Sequence, residues 1–236
     1  MTYRAVFFDA GGTLINPHPS FTELLSRTLL SEGHRVEPDQ IVQRIPLIAA
    51  LFTRASKTGE LWSVSPERSR AFWDTVYRTL LEDLGIPYTP KLSDRFYAVF
   101  TDVRNYRLFP DALPVLQRLS AGGVFLGVIS NFEQWLERLL SALEVSSFFE
   151  VRVISGAEGM EKPDPKIFLL ALERAGLEPG ESVYVGDSVE FDVLPAQAVG
   201  MRGILVDRSN RHPDFTGTRI ASLAELPAAL GLEAPS

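Results

Sequence analysis

From residue 106 onward the chain alternates short apolar runs with amphipathic helical ones, and no other feature constrains its fold as strongly. The runs at 124–131 (VFLGVISN), 149–155 (FEVRVIS), 182–188 (SVYVGDS) and 202–207 (RGILVD) read as strands. Helical patterns fill 111–123, 132–144, 164–177, 192–200 and 222–231. Short apolar strands joined by helices pair in parallel through right-handed crossovers. A further strand, Arg4 to Phe8, precedes them and ends in a glycine turn. The expected fold class is therefore α/β, a doubly wound, Rossmann-like parallel sheet. Apolar residues make up 45% of the 236, enough for a sizeable core.

Between the first strand and this region the pattern changes. Residues 21–33, 39–55, 65–85 and 91–105 all follow a helical period. Ser65 and Pro66 form a start signal, Gly33 and Gly85 are stops, and Pro46 should break or kink the second helix. We expect a core domain of residues 1–16 plus 106–236, with a helical domain of residues 17–105 inserted after the first strand. Phe21, Trp62, Phe72, Trp73 and Tyr77 read better as bundle core than as pocket lining.

Charge and residue usage narrow the function. A net charge of −7 disfavours nucleic acid and anionic membrane surfaces as partners. The absence of cysteine excludes disulfides, thiolate metal sites and a cysteine nucleophile. No apolar run approaches the roughly 20 residues that span a bilayer, and the N-terminus lacks a signal-peptide pattern. A cytoplasmic protein is expected. Monomer and dimer both remain open.

In open parallel sheets, ligands gather beyond the carboxyl ends of the strands. Four polar clusters sit there: Asp9 with Gly11 and Gly12, Ser130 with Asn131, Lys162, and Asp187 with Asp192. Asp9 is placed to attack; the bland alternative is an aspartate that caps the glycine turn. Gly12 and its neighbour let backbone N–H groups approach an anion. Ser130 and the Asn131 backbone offer donors to a phosphoryl group, helped by the start of the helix at Phe132. Lys162 would screen repulsion between a carboxylate and a phosphate; the bland alternative is a surface lysine before a helix capped by Asp164. Several carboxylates near Asp9 call for a cation, and hard oxygen ligands suit Mg²⁺. His18, His34 and His212 have no ligand spacing and are expected to face solvent.

With those residues in view, the chain resembles the haloacid dehalogenase-like (HAD) hydrolase superfamily along nearly its whole length. FFDAGGTL (7–14), VISN (128–131), KPDP (162–165) and GDSVEFD (186–192) resemble its four motifs in order. Residues 17–105 resemble its C1-type cap. The resemblance implies Asp9 as a nucleophile that forms a covalent intermediate. It implies Ser130, Asn131, Gly12 and Lys162 as phosphate holders, and Asp9, the Gly11 carbonyl, Asp187 and Asp192 around Mg²⁺. The substrate it implies is a small phosphorylated molecule.

Position 11 departs from the pattern. Phosphatases of the family carry an acid/base aspartate there, and Gly11 has no side chain to do that work. Three readings follow. The protein is a phosphatase whose proton transfer is impaired or supplied elsewhere. Alternatively, it runs related chemistry. A phosphonatase would need a cap lysine, Lys57 or Lys91, while a dehalogenase fits poorly with the retained Asp187 and Asp192. In the third reading it binds a phosphorylated ligand with little turnover.

Overall fold

The computed structural model describes residues 3–232. The chain forms two units by its internal contacts, one running up to Ile15 and resuming at Leu108, the other Asn16–Arg107.

The first unit is built on a six-stranded sheet of β1 (Ala5–Phe8), β4 (Phe125–Ser130), β5 (Val151–Ile154), β6 (Ser182–Gly186), β7 (Arg202–Val206) and β8 (Arg219–Ile220). Two short strands, β2 (Ile15–Pro17) and β3 (Tyr106–Leu108), pair separately where the chain passes between the units. The order is β5-β4-β1-β6-β7-β8, and every neighbouring pair is parallel. The chain winds outward from β1 through β4 to β5, then returns to β6 on the other side. The direction of winding thus reverses between β1 and β6, where such sheets open a ligand crevice.

The four residues of β1 are wholly buried, as a central parallel strand covered on both faces requires. On one face Phe7 and Tyr184 pack with Ile167, Phe168, Ala171 and Ala196. These come from α9 (Pro165–Ala175) and α10 (Leu194–Ala198), while α6 (Ala112–Ala121) packs against β4. Gly127 on β4 leaves room for its neighbour across the sheet: a Cβ there would lie 2.5 Å from the Phe7 ring.

The second unit contains α1 (Phe21–Ser31), α2 (Pro38–Val42), α3 (Ile45–Thr58), α4 (Pro66–Asp83) and α5 (Pro90–Phe100). Ser20, Ser65 and Thr89 cap α1, α4 and α5 by accepting from the N–H three residues on. The aromatic residues are packing groups. Phe72 and Tyr77 are buried, and Phe21, Trp62 and Trp73 pack against the same clusters.

Several expected boundaries move. The helix expected over 39–55 is two, because Pro46 sits in the first turn of α3, where its missing N–H costs nothing. The segment 103–105 is a 3₁₀ turn rather than the end of α5. The helix expected from Phe132 is the seven-residue α7 (Leu136–Ala142), so no helix N-terminus stands at Ser130. Its predecessor residues are pulled into a turn, where Phe132 N–H donates to Ser155 Oγ at 2.9 Å, at the start of α8 (Ser155–Glu158). The expected helix 192–200 splits into a π-helical turn, Val189–Val193, and α10. The C-terminal segment is a 3₁₀ turn followed by α11 (Leu226–Ala229). Of the histidines only His18 is exposed; His34 and His212 are half-buried.

Candidate active site

The segment after β1 explains the glycine pair. Asp9 N–H still pairs with Val185 O at 2.9 Å, then the chain turns so that Leu14 and Ile15 N–H both donate to Ala10 O. Gly12 adopts φ +73, and a Cβ on it would lie 2.4 Å from Asp187 Oδ2. Glycine is required there twice over, for its dihedral and for the closeness of the carboxylate. Gly11 is different. A Cβ on it would meet nothing within 4 Å, and its carbonyl accepts no hydrogen bond in the turn.

Asp9 lies 6% exposed at the strand end. Its Oδ1 accepts from Ser130 Oγ at 3.0 Å and from Lys162 Nζ at 2.7 Å, leaving Oδ2 open. Lys162, at 3% exposure, is no surface lysine. It also donates to Asp192 Oδ1 at 2.6 Å and to Tyr184 Oη at 3.0 Å, and Tyr184 in turn donates to Ile129 O at 2.7 Å. The side chain of Asn131 clamps the Lys162 backbone from both sides, Nδ2 on its carbonyl and Oδ1 under its N–H, each at 2.7 Å. Asp164 caps α9 as the sequence suggests, accepting from Lys166 N–H, with Pro165 at the first helical position.

Asp192 accepts from Lys162 through Oδ1 and from Ser188 N–H through Oδ2 at 2.9 Å. The close approach depends on Gly186, whose Cβ would lie 2.4 Å from Asp192 Cγ. Gly186→Ala is therefore expected to force Asp192 off Lys162 and cost about 1–3 kcal/mol of stability. Thermal melting of the purified variant measures this, and an unchanged midpoint would show that the turn yields without loss.

Burial dominates the electrostatics. It raises the Asp9 pKa to about 6, with the Asp192 charge adding to it and Lys162 and Ser130 opposing. Asp187 rises to about 7 through burial and the charges of Asp192 and Asp9, against the pull of Arg211 and Lys162. Burial also acts against the charge on Lys162, but the attraction of Asp192 and Asp9 outweighs it and holds the ammonium protonated. The Tyr184 hydroxyl is pushed up by burial and by Asp192, so it stays a donor.

The residues present fit a divalent ion. Asp9, Asp187 and Asp192 each offer an oxygen, all within 4.8 Å of one another. Among the described residues nothing donates to Asp9 Oδ2, Asp187 Oδ1 or the Gly11 carbonyl, which together make a hard donor set suited to Mg²⁺. Both oxygens of Asp192 already have partners, so its contribution is mainly negative charge and the orientation of Lys162. Tyr184 joins the site on a slight sequence signal, a hydroxyl inside a mostly apolar strand, two residues before a glycine. Arg211, which reaches Asp187 Oδ2 at 3.2 Å, carries no local signal at all.

An α/β core with an aspartate at the end of its central strand, a buried lysine and a carboxylate pair defines a class of hydrolase. The family model of haloacid dehalogenase-like hydrolases matches residues 3–200. Haloacid dehalogenase-like hydrolase domain-containing protein 3 of Danio rerio is 30% identical over 234 residues, 96% of each chain. Glyceraldehyde 3-phosphate phosphatase of Methanopyrus kandleri is 37% identical over 162 residues, 62% of this chain and 69% of the relative. The HAD hydrolase YfnB of Bacillus subtilis, solved with magnesium bound, matches in fold with a TM-score of 0.82 at 18% identity, over 98% of this chain and 100% of that one. The chain belongs to the haloacid dehalogenase-like hydrolases.

Proposed function

We propose that the protein is a Mg²⁺-dependent phosphatase of a small phosphorylated molecule, with Asp9 as nucleophile. The observation that carries this reading is the state of Asp9: one oxygen is held by Ser130 and Lys162, and the other is open beside Asp187. Asp9 Oδ1, which faces the Ser130 and Lys162 donors, forms a bond to phosphorus as the ester P–O bond breaks, while Oδ2 stays available to a cation; water then cleaves the aspartyl-phosphate to release phosphate and regenerate Asp9. Lys162, with the Ser130 hydroxyl and the backbone around Asn131, offsets the charge of the incoming phosphate; Gly12, expected to share this task, has its N–H already committed to Ile15 O at 2.9 Å by the turn. A divalent ion held by Asp9, Asp187 and the Gly11 carbonyl, with Asp192 in support, would supply further positive charge to the phosphoryl oxygens. The archaeal relative's phosphatase activity supports this reaction class. Retention of Asp187 and Asp192 argues against dehalogenation. Among the described residues no helix is long and apolar enough to cross a membrane.

Gly11 favours a second reading, a protein that binds a phosphorylated ligand with little turnover. The two separate by p-nitrophenyl phosphate hydrolysis with and without Mg²⁺, run beside Asp9→Asn. We expect metal-dependent turnover that falls in the variant by at least about 10³-fold, the scale on which removal of a covalent nucleophile acts. Turnover no higher than the variant's, from folded protein, would overturn the phosphatase reading in favour of phosphate-ligand binding or a non-phosphatase chemistry.

A further inference from the structure

Arg211 lies outside the four motifs, yet its guanidinium is the cation that faces Asp187. Its backbone is fixed. Asp207, at the end of β7 and 4% exposed, accepts from the N–H of Arg211 at 2.7 Å and of His212 at 2.9 Å, and from Arg219 Nη1 at 3.1 Å. This staple holds the Arg211 main chain beside the end of β6, the neighbouring strand, from which Asp187 follows. The side chain then reaches Asp187 Oδ2 at 3.2 Å and is otherwise 58% exposed. Lys162 does not share this task, since its ion pairs are with Asp9 and Asp192. Among the described residues Arg211 is the cation within ion-pair reach of Asp187.

We propose that Arg211 is the built-in counter-ion of Asp187 in the metal-free protein, and that a divalent ion binds by exchange: its charge at the free Asp187 Oδ1 repels the guanidinium from Oδ2 into solvent. The proposal rests on the metal reading of the site given above. A buried lysine cannot play this part, because leaving its two carboxylates would strand three charges. A half-exposed arginine on a fixed backbone can leave cheaply, because water solvates it at once. The arrangement lowers metal affinity and gives Asp187 a cation of its own beside Asp9 and Asp192, which share Lys162.

The test is calorimetric titration of the full chain with MgCl₂ at pH 8.5 and fixed ionic strength. Wild type, Arg211→Ala, Arg211→Lys and Asp187→Asn are compared. Removing a unit charge next to a bound dication is expected to tighten binding roughly three- to tenfold at low salt, and less at high salt. Arg211→Lys should lie near wild type, and Asp187→Asn should lose binding. Wild-type binding that depends on Asp187 but is unchanged or weakened in Arg211→Ala overturns the exchange alone. No Mg²⁺ binding by wild type overturns the metal reading and the exchange together.

Discussion

Gly11→Asp is expected to speed hydrolysis of an alkyl phosphate by about 10²-fold or more, the contribution typical of a positioned general acid/base. The site has room for it. A Cβ at position 11 meets no atom within 4 Å, and Gly11 is not among the positive-φ glycines. Gly12 next door is far less tolerant, because its φ of +73 strains any side chain and a Cβ would press on the Asp187 carboxylate. An alkoxide leaves poorly without a proton, whereas nitrophenolate leaves without one. The gain should therefore be large on glycerol phosphate and small on p-nitrophenyl phosphate, and steady-state kinetics on both substrates measures the ratio. A ratio unchanged from wild type would mean that another group already supplies the proton. The same logic predicts that wild type, which has no side chain at position 11 to activate water, accumulates phosphorylated Asp9 during turnover.

Lys162→Met is expected to cost the metal-free protein about 3–5 kcal/mol near pH 8, the scale for leaving buried partners of an ion pair unpaired. Asp9 and Asp192 would then face each other without a cation at 6% and 1% exposure. The loss should depend on pH in a defined direction. The folded pKa of Asp9, about 6, lies above its ordinary value of 3.8. A group shifted upward stabilises the fold fully below its unfolded value, and that contribution is lost as pH rises through the folded one. In wild type the loss from Asp9 falls between about pH 4 and pH 6, and Asp187 extends it toward pH 7. Without Lys162, which pulls the Asp9 value down, the loss deepens and runs to higher pH. Denaturant unfolding in EDTA at pH 5 and pH 8 compares the two proteins. A destabilisation equal at both pH values would assign Lys162 a packing role rather than an electrostatic one.

Local patterns made much of this molecule legible in its sequence. The alternation after residue 106 determined a parallel α/β sheet, because a strand covered on both faces must be short and apolar throughout. The strand ends located Asp9, Ser130, Lys162 and Asp187, because side chains placed there share one edge whatever the details of packing. Cap residues such as Ser65, Asp164 and Pro165 announced their helices, because a cap acts on the next three residues and needs nothing distant. Tertiary structure decided the rest. Whether 132–135 continued a helix depended on Ser155, 23 residues away along the chain. That Asp192 serves Lys162 through both its position and its charge depended on Gly186 making space for it. Tyr184 and Arg211 entered the site only because β6 lies between β1 and β7, a neighbour relation that no local period encodes. The sequence by itself determined the strands, the helices and the chemistry at their ends. Which charges touch was left to the folded sheet, since an ion pair forms between residues far apart in the chain and is set by packing distance alone.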